Sequence, residues 1–236
     1  MKILAVEFSS AQRSVAVWDA GGSGASPALL GSALQPPMPT HDHSPFPIQH
    51  SQFSFQRSLG LVEEALAEAN CRREEIGALA VGLGPGSYTG IRGAIALAQG
   101  WQLGRETRLL GVSSVECLAA QAQADGWRGP VNIIIDAQRH EFYLARYDLG
   151  QTGWREAAAL RLAPLAEIQA LAGAGRTLLG PEVARWSGGG KDLYPAAVML
   201  GRLACARQDF VPGETLEPIY LRETAFKKAP PPRVNP

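Results

Sequence analysis

Apolar positions near the start of the chain come in short runs rather than at helical spacing: residues 2–8 read KILAVEF and residues 14–18 read SVAVW. Runs of this length, rich in β-branched and apolar types and separated by the polar Ser9-Ser10-Ala11-Gln12-Arg13, predict a β-hairpin. A Gly/Ser-rich turn over 21–26 leads to a third strand over Ala28–Leu34, and Pro36, Pro37 and Pro39 then open a polar loop to Pro47. From His50 to Asn70 the spacing changes to three and four. Phe55, Leu59, Val62, Leu66 and Ala69 mark an amphipathic helix, whose second face, Ser54, Ser58, Leu61 and Ala65, carries mostly small side chains. Ile76–Leu83 predicts a buried strand, broken by Gly84-Pro85-Gly86. Ser87 is placed to cap a helix running to Gly104. Leu109–Val112 predicts the next strand, and Ser113 or Ser114 the cap of a helix through Ala124, with Glu116 in its first turn. The order of the first half is β-β-β-α-β-α-β-α.

The opening pattern then returns. NIIID, AQRH and EFYLARYD repeat the order of ILAVE, FSSAQR and SVAVWD: a strand ending in an acid, a polar turn and a returning strand. Its position at the start of each half predicts two lobes of related topology facing one another. The shorter second half continues with a strand near Trp154–Leu162, a helix over Pro164–Ala172, a strand over Thr177–Leu179 and a helix over Leu193–Ala206. The expected division is a first lobe over 1–112, a second over 113–225 and a flexible tail over 226–236.

Composition narrows what such a chain does. With 236 residues, 46% hydrophobic and 19% charged, it can bury a sizeable core. Basic and acidic residues balance to a formal net charge of zero, and no cluster of Lys and Arg marks a nucleic-acid footprint. Cys71, Cys117 and Cys205 are isolated in sequence, which suggests neither a disulfide framework nor a zinc site. Glu7 interrupts the first apolar run too early for a signal peptide, and no stretch of about 20 apolar residues spans a bilayer. A cytoplasmic location is expected.

Four constellations could carry chemistry. Glu7 and Asp136, each ending the first strand of a hairpin, could meet at the mouth of an interlobe cleft and, with Ser9, hold Mg²⁺ and nucleotide phosphates. Against that, neither turn contains the glycine that close wrapping of a phosphate usually needs. Gly84-Pro85-Gly86-Ser87-Tyr88-Thr89-Gly90 resembles a P-loop in leading from strand to helix, but Ile91-Arg92 follow where Lys and Ser/Thr are required. The following helix carries Gly90, Gly93, Ala94, Leu97, Gly100 or Trp101, and Gly104 along one side, a composition costly to an isolated helix. With Ser54, Ser58, Leu61 and Ala65 of the preceding helix, this face suits either close packing within the domain or an interface with a second protein. His41, His43 and His50 lack the helical spacing of a catalytic metal site, and no G-x-S-x-G occurs.

The segments ILAVEFSS, VGLGPGSYTGIRGAIALAQGWQLG, GVSSVECLA, IIDAQRHEFYLARYD and PIYLRE, in this order from residue 3 to 223, together resemble the TsaB (YeaZ) family. The resemblance implies an α/β, two-lobed actin/Hsp70-like (ASKHA) fold, each lobe beginning with a three-stranded β meander. It also implies a non-catalytic subunit, without the metal-binding histidine pair of its paralogue TsaD. Such a subunit pairs with TsaD through its first two helices to support threonylcarbamoylation of the adenosine beside the tRNA anticodon. The ATPase TsaE is the further implied partner, tRNA is met indirectly through the complex, and a homodimer is plausible for the chain alone. No cofactor is required, with ATP or ADP at the partner interface left open. An arginine at Gly93 or Ala94 is expected to block pairing without unfolding the chain. Two departures stand out: Glu7-Phe8-Ser9 replaces the usual Asp-Thr-Ser, and Pro36–Pro47 is longer and richer in proline. The competing functions are an ATP-binding enzyme of this fold active alone and a glycoprotease-like hydrolase.

Overall fold

The computed structural model describes residues 1–22, 25–37 and 47–221, with backbone alone for 47–56. The histidines at 41 and 43, the side chain of His50, most of the proline-rich loop and the tail lie outside what is described.

The first sheet takes the order β3-β2-β1-β4-β5, from strands Lys2–Glu7 (β1), Arg13–Asp19 (β2), Ala28–Gln35 (β3), Ile76–Gly82 (β4) and Arg108–Val112 (β5). β1 pairs antiparallel with β2, β2 antiparallel with β3, and β4 runs parallel between β1 and β5. Strand β1 is apolar without alternation because both faces of this sheet are covered. Leu4 and Val6 pack with Val15, Val17, Leu79 and Val81 beneath helices Pro47–Glu68 (α1) and Tyr88–Gly104 (α2). Ile3 and Ala5 pack on the opposite side with Ala16, Ala78 and Ala80, against helices Ser114–Ala124 (α3) and Ala197–Cys205 (α6).

The second sheet repeats that plan. Strands Gly129–Asp136 (β6), Glu141–Leu149 (β7), Trp154–Pro164 (β8), Leu178–Gly180 (β9) and Lys191–Asp192 (β10) take the order β10-β9-β6-β7-β8. The β6, β7 and β8 meander is antiparallel, with β9 and β10 added in parallel, the same arrangement as β1 to β5. The fold is thus two-lobed, as the repeated opening pattern predicted, and ASKHA-like, as the family resemblance implied. Helix α3 lies between the lobes: Cys117 and Ala120 face the first sheet, while Val115, Leu118, Ala119 and Ala122 face the second. Its run of small residues lets two sheets close on one helix. Helices Leu165–Gly173 (α4) and Val183–Ser187 (α5) cover the far side through Ile168 and Val183.

The contiguous division at residue 113 needs correction, because the chain returns to the first lobe after the second sheet. Helix α6 packs on β1 and β2, and its first amide, at Ala197, donates to Ser14 Oγ at 2.8 Å. Val211 bridges Leu109, Leu216 joins the core under α2, and the Ile219 amide donates to the Leu83 carbonyl at 2.9 Å.

Candidate functional site

The end of β1 is closed. Glu7 is fully buried, and its carboxylate accepts hydrogen bonds from the Ser9 amide at 2.8 Å and the Ser114 hydroxyl at 2.9 Å. Burial pushes this carboxyl's pKa above its ordinary value, and the hydrogen bonds from Ser9 and Ser114 oppose the shift without cancelling it. Ser9 is itself only 3% exposed, and its carbonyl accepts from the Ser87 amide at 2.6 Å. The phosphate role expected of Glu7 and Ser9 is therefore corrected to an internal one. The carboxylate ties the first hairpin to α3, the helix between the lobes.

The glycine block explains the closure. A Cβ at Gly82 would run into the Glu7 carboxylate, one at Gly86 into the Ser9 carbonyl and one at Gly90 into the Phe8 carbonyl. These glycines bring the strand-to-helix turn directly onto the first hairpin, where side chains would hold it away. Ser87 caps α2 as its position predicted, accepting from the Gly90 amide at 3.3 Å.

Asp136 sits in a different setting. It is half-buried, and its carboxylate accepts from the Gln138 amide at 2.7 Å and the Gln138 side-chain amide at 3.1 Å. The turn it holds has Gln138, Arg139 and His140 all left-handed, at φ 65°, 60° and 62°. The two acids expected to meet at the cleft thus differ: Glu7 is enclosed, and Asp136 serves its own turn.

The faces of α1 and α2 also differ from expectation. In α1 the buried stripe contains Ser58, Leu61, Val62, Ala65 and Leu66, so Ser58, Leu61 and Ala65 lie in the core and are unavailable to a partner. The cause is a close crossing: a Cβ at Gly31 of β3 would meet the Ala65 carbonyl and the Ala69 amide, so only a small-residue stripe fits there. Leu59, expected inside, is 37% exposed instead, and Ser54 falls where side chains are not described. In α2, Gly90 and Ala94 are buried, while Gly93 and Leu97 are half-buried on one flank. On the other flank Gln99 donates to the Gly213 carbonyl at 2.8 Å, and Gln102 accepts from its amide at 2.9 Å.

Outward from α2 point Thr89, Arg92, Ala96, Gly100 and Leu103, the last 90% exposed. Sequence reading reached only Gly100 of this face. The signal was available in Ile91 and Ile95: turning these two inward places Arg92, Ala96 and Leu103 opposite them at 3.6 residues per turn. At the start of the same face, Tyr88 and Tyr220 stack with ring centroids 5.6 Å apart, and the Arg92 guanidinium lies 4.7 Å over the Tyr88 ring. Burial raises the Tyr220 phenol's pKa, and the adjacent Arg92 works against that rise.

Comparison with known proteins gives a consistent result. The protein-family model described as TsaD, tRNA N6-adenosine threonylcarbamoyltransferase, matches residues 46–198. The Escherichia coli K12 protein named tRNA threonylcarbamoyladenosine biosynthesis protein TsaB is 33% identical over an alignment covering 98% of this chain and 99% of its own length. The Haemophilus influenzae protein of the same name is 29% identical, over 74% of this chain and 83% of its own. Among solved structures, YeaZ from Pseudomonas aeruginosa superposes with a TM-score of 0.70 at 28% identity, over 93% of this chain and 99% of that one.

Proposed function

Because this chain belongs to the TsaB (YeaZ) family of tRNA threonylcarbamoyladenosine biosynthesis, we propose that it is the partner subunit of a TsaD-type threonylcarbamoyltransferase. It pairs through the outer faces of α1 and α2 and enables that enzyme to modify the adenosine beside the tRNA anticodon. The observation that carries this reading is Leu103, 90% exposed in line with Ala96 and Gly100 on a helix whose other side is deep in the core. Leaving a leucine in water forgoes roughly 1.5–3 kcal/mol that a partner would recover, and small residues beside it admit a second helix closely. A Cβ at Gly100 or Gly104 would meet nothing, so this ground is open.

The reading assigns no catalytic residue to this chain, and Glu7, the one buried acid among the described residues, has both carboxylate oxygens engaged internally. It requires no cofactor; ATP or ADP, where bound, belongs to the shared surface. TsaE joins the assembly, and tRNA is reached through the complex, in keeping with a chain whose formal net charge is zero. The work is done in the cytoplasm. Among the described residues no helix is long and apolar enough to cross a membrane. Alone, the same face is expected to pair with a second copy through an isologous contact.

The test is formation of threonylcarbamoyladenosine in tRNA by TsaD, TsaE and the adenylate-forming enzyme, with this chain present, omitted or replaced by Ala96→Arg. Product should require the wild-type chain, and the folded variant should fail to support it. Unchanged product on omission would sink the reading. Ala94→Arg, an expected pairing mutant from sequence, serves instead as an unfolding control, since Ala94 is fully buried.

A further inference from the structure

We infer that Arg92, held over the Tyr88 ring that stacks on Tyr220, is the polar anchor of the α2 face and takes a carboxylate from the partner protein. This rests on the reading of that face as the pairing surface. Tyr88 is 59% and Tyr220 36% exposed, and their stack is fixed from two distant parts of the chain. Tyr88 opens α2, while Tyr220 follows Ile219, whose amide is bonded to Leu83, and Leu216, which is in the core. An arginine laid on such an aromatic face is oriented before any partner arrives, which lowers the entropic cost of using it.

Charge points to the occupant. Among the described residues no carboxylate lies within ion-pair distance of Arg92, so the guanidinium over Tyr88 is open to an anion from outside the chain. A planar guanidinium meets a carboxylate through two parallel N–H donors, and the positive end of α2 favours the same anion. RNA fits less well, because phosphate binding draws on several cations together, and the face continues into Ala96, Gly100 and exposed Leu103 rather than further basic residues. Eleven residues at ~1.5 Å each separate Arg92 from Leu103. The partner surface should therefore present a carboxylate roughly 16 Å from an apolar socket.

The experiment is calorimetric titration of TsaD with the wild-type chain, Arg92→Gln, Arg92→Lys, Tyr220→Phe and Ala96→Arg over a range of salt, with thermal melts to confirm folding. Arg92→Gln should weaken pairing roughly 30-fold, as loss of a hot-spot arginine does, and flatten its salt dependence. Arg92→Lys should recover only part of the loss, because an ammonium lacks the two-pronged geometry; Tyr220→Phe should pair like wild type. If Ala96→Arg fails to pair but Arg92→Gln pairs normally, the anchor is overturned and the pairing face stands. Should Ala96→Arg also pair normally, the underlying reading falls and the anchor with it. Arg92→Gln that spares pairing yet weakens tRNA binding by the complex, or self-association of the chain alone, would make the occupant RNA or a second copy and overturn the carboxylate.

Discussion

The two lobes open with the same motif, an acid-terminated strand and a polar turn, and finish it in opposite ways. In the first, Glu7 has no exposed surface, and glycines 82, 86 and 90 bring the following strand and helix against the turn. In the second, Gly180 at the end of β9 makes a similar approach, but against the Ile134 carbonyl, two residues before Asp136. The turn beyond stays outside that contact, and Gln138, Arg139 and His140 are exposed. A repeated topology therefore does not repeat a site. Where the neighbouring loop closes on the hairpin, the acid becomes a tie within the fold; where it stops short, the acid only shapes its own turn.

The sharpest way to break this contrast is Gly90→Ala. Its Cβ would meet the Phe8 carbonyl, a backbone atom that cannot swing aside, so the helix must move off the hairpin at a cost of about 3 kcal/mol. Chemical denaturation of the variant should show that loss. A cost below about 0.5 kcal/mol, the range of ordinary surface changes, would mean that the glycine block does not clamp the first turn.

Glu7 comes next. Glu7→Ala leaves the Ser9 amide and Ser114 hydroxyl without their buried acceptor, an expected loss of roughly 2 kcal/mol. Glu7→Gln keeps the shape and separates packing from charge. The folded carboxyl has its pKa raised above the ordinary 4.5 by burial, so the folded state holds its proton more tightly than the unfolded chain. As pH rises past the unfolded value, the unfolded chain releases that proton first, and wild-type stability falls until the folded group ionises as well. As pH rises above the ordinary carboxyl value, denaturation midpoints should therefore decline more steeply for wild type than for Glu7→Gln. Parallel profiles would show that the enclosed carboxyl does not titrate differently on folding.

How much of this could be read from the residues depended on whether the signal was local. The hairpins, the Ser87 cap and the repeat of strand, turn and strand were legible, because apolar runs and capping chemistry act within a few residues. The phase of α1 was not. Its apolar stripe and its small stripe lie side by side on the helix, and Ser58, Leu61 and Ala65 turn inward with Val62 and Leu66 because Gly31, distant in sequence, lets β3 touch the helix backbone at Ala65. Similarly, the amphipathic α6 was visible as a helix, but nothing local reveals that it crosses back to cover Trp18 and Ala5. Helix α5 and strand β10, five and two residues long, are too short to show any period.

In the second hairpin the effects should be smaller. Asp136→Ala removes an acceptor from a half-buried turn where water can replace it, at about 1 kcal/mol. An effect as large as that of Glu7→Ala would erase the distinction between the two acids.

Arg139→Gly has the smallest expected effect and the opposite sign. Arg139 is exposed and left-handed at φ 60°, between two residues in the same conformation. Each such residue costs roughly 1–2 kcal/mol relative to one with negative φ, whereas glycine adopts the conformation freely but raises the entropy lost on folding by ~0.5–1 kcal/mol. The difference favours the variant by about 0.5–1 kcal/mol, which a shift in denaturation midpoint would reveal. In the first hairpin, Gln12→Gly should give no such gain, since none of residues 9–13 is left-handed and the added glycine only loosens the unfolded chain. Equal responses at Arg139 and Gln12 would show that backbone strain does not distinguish the two turns.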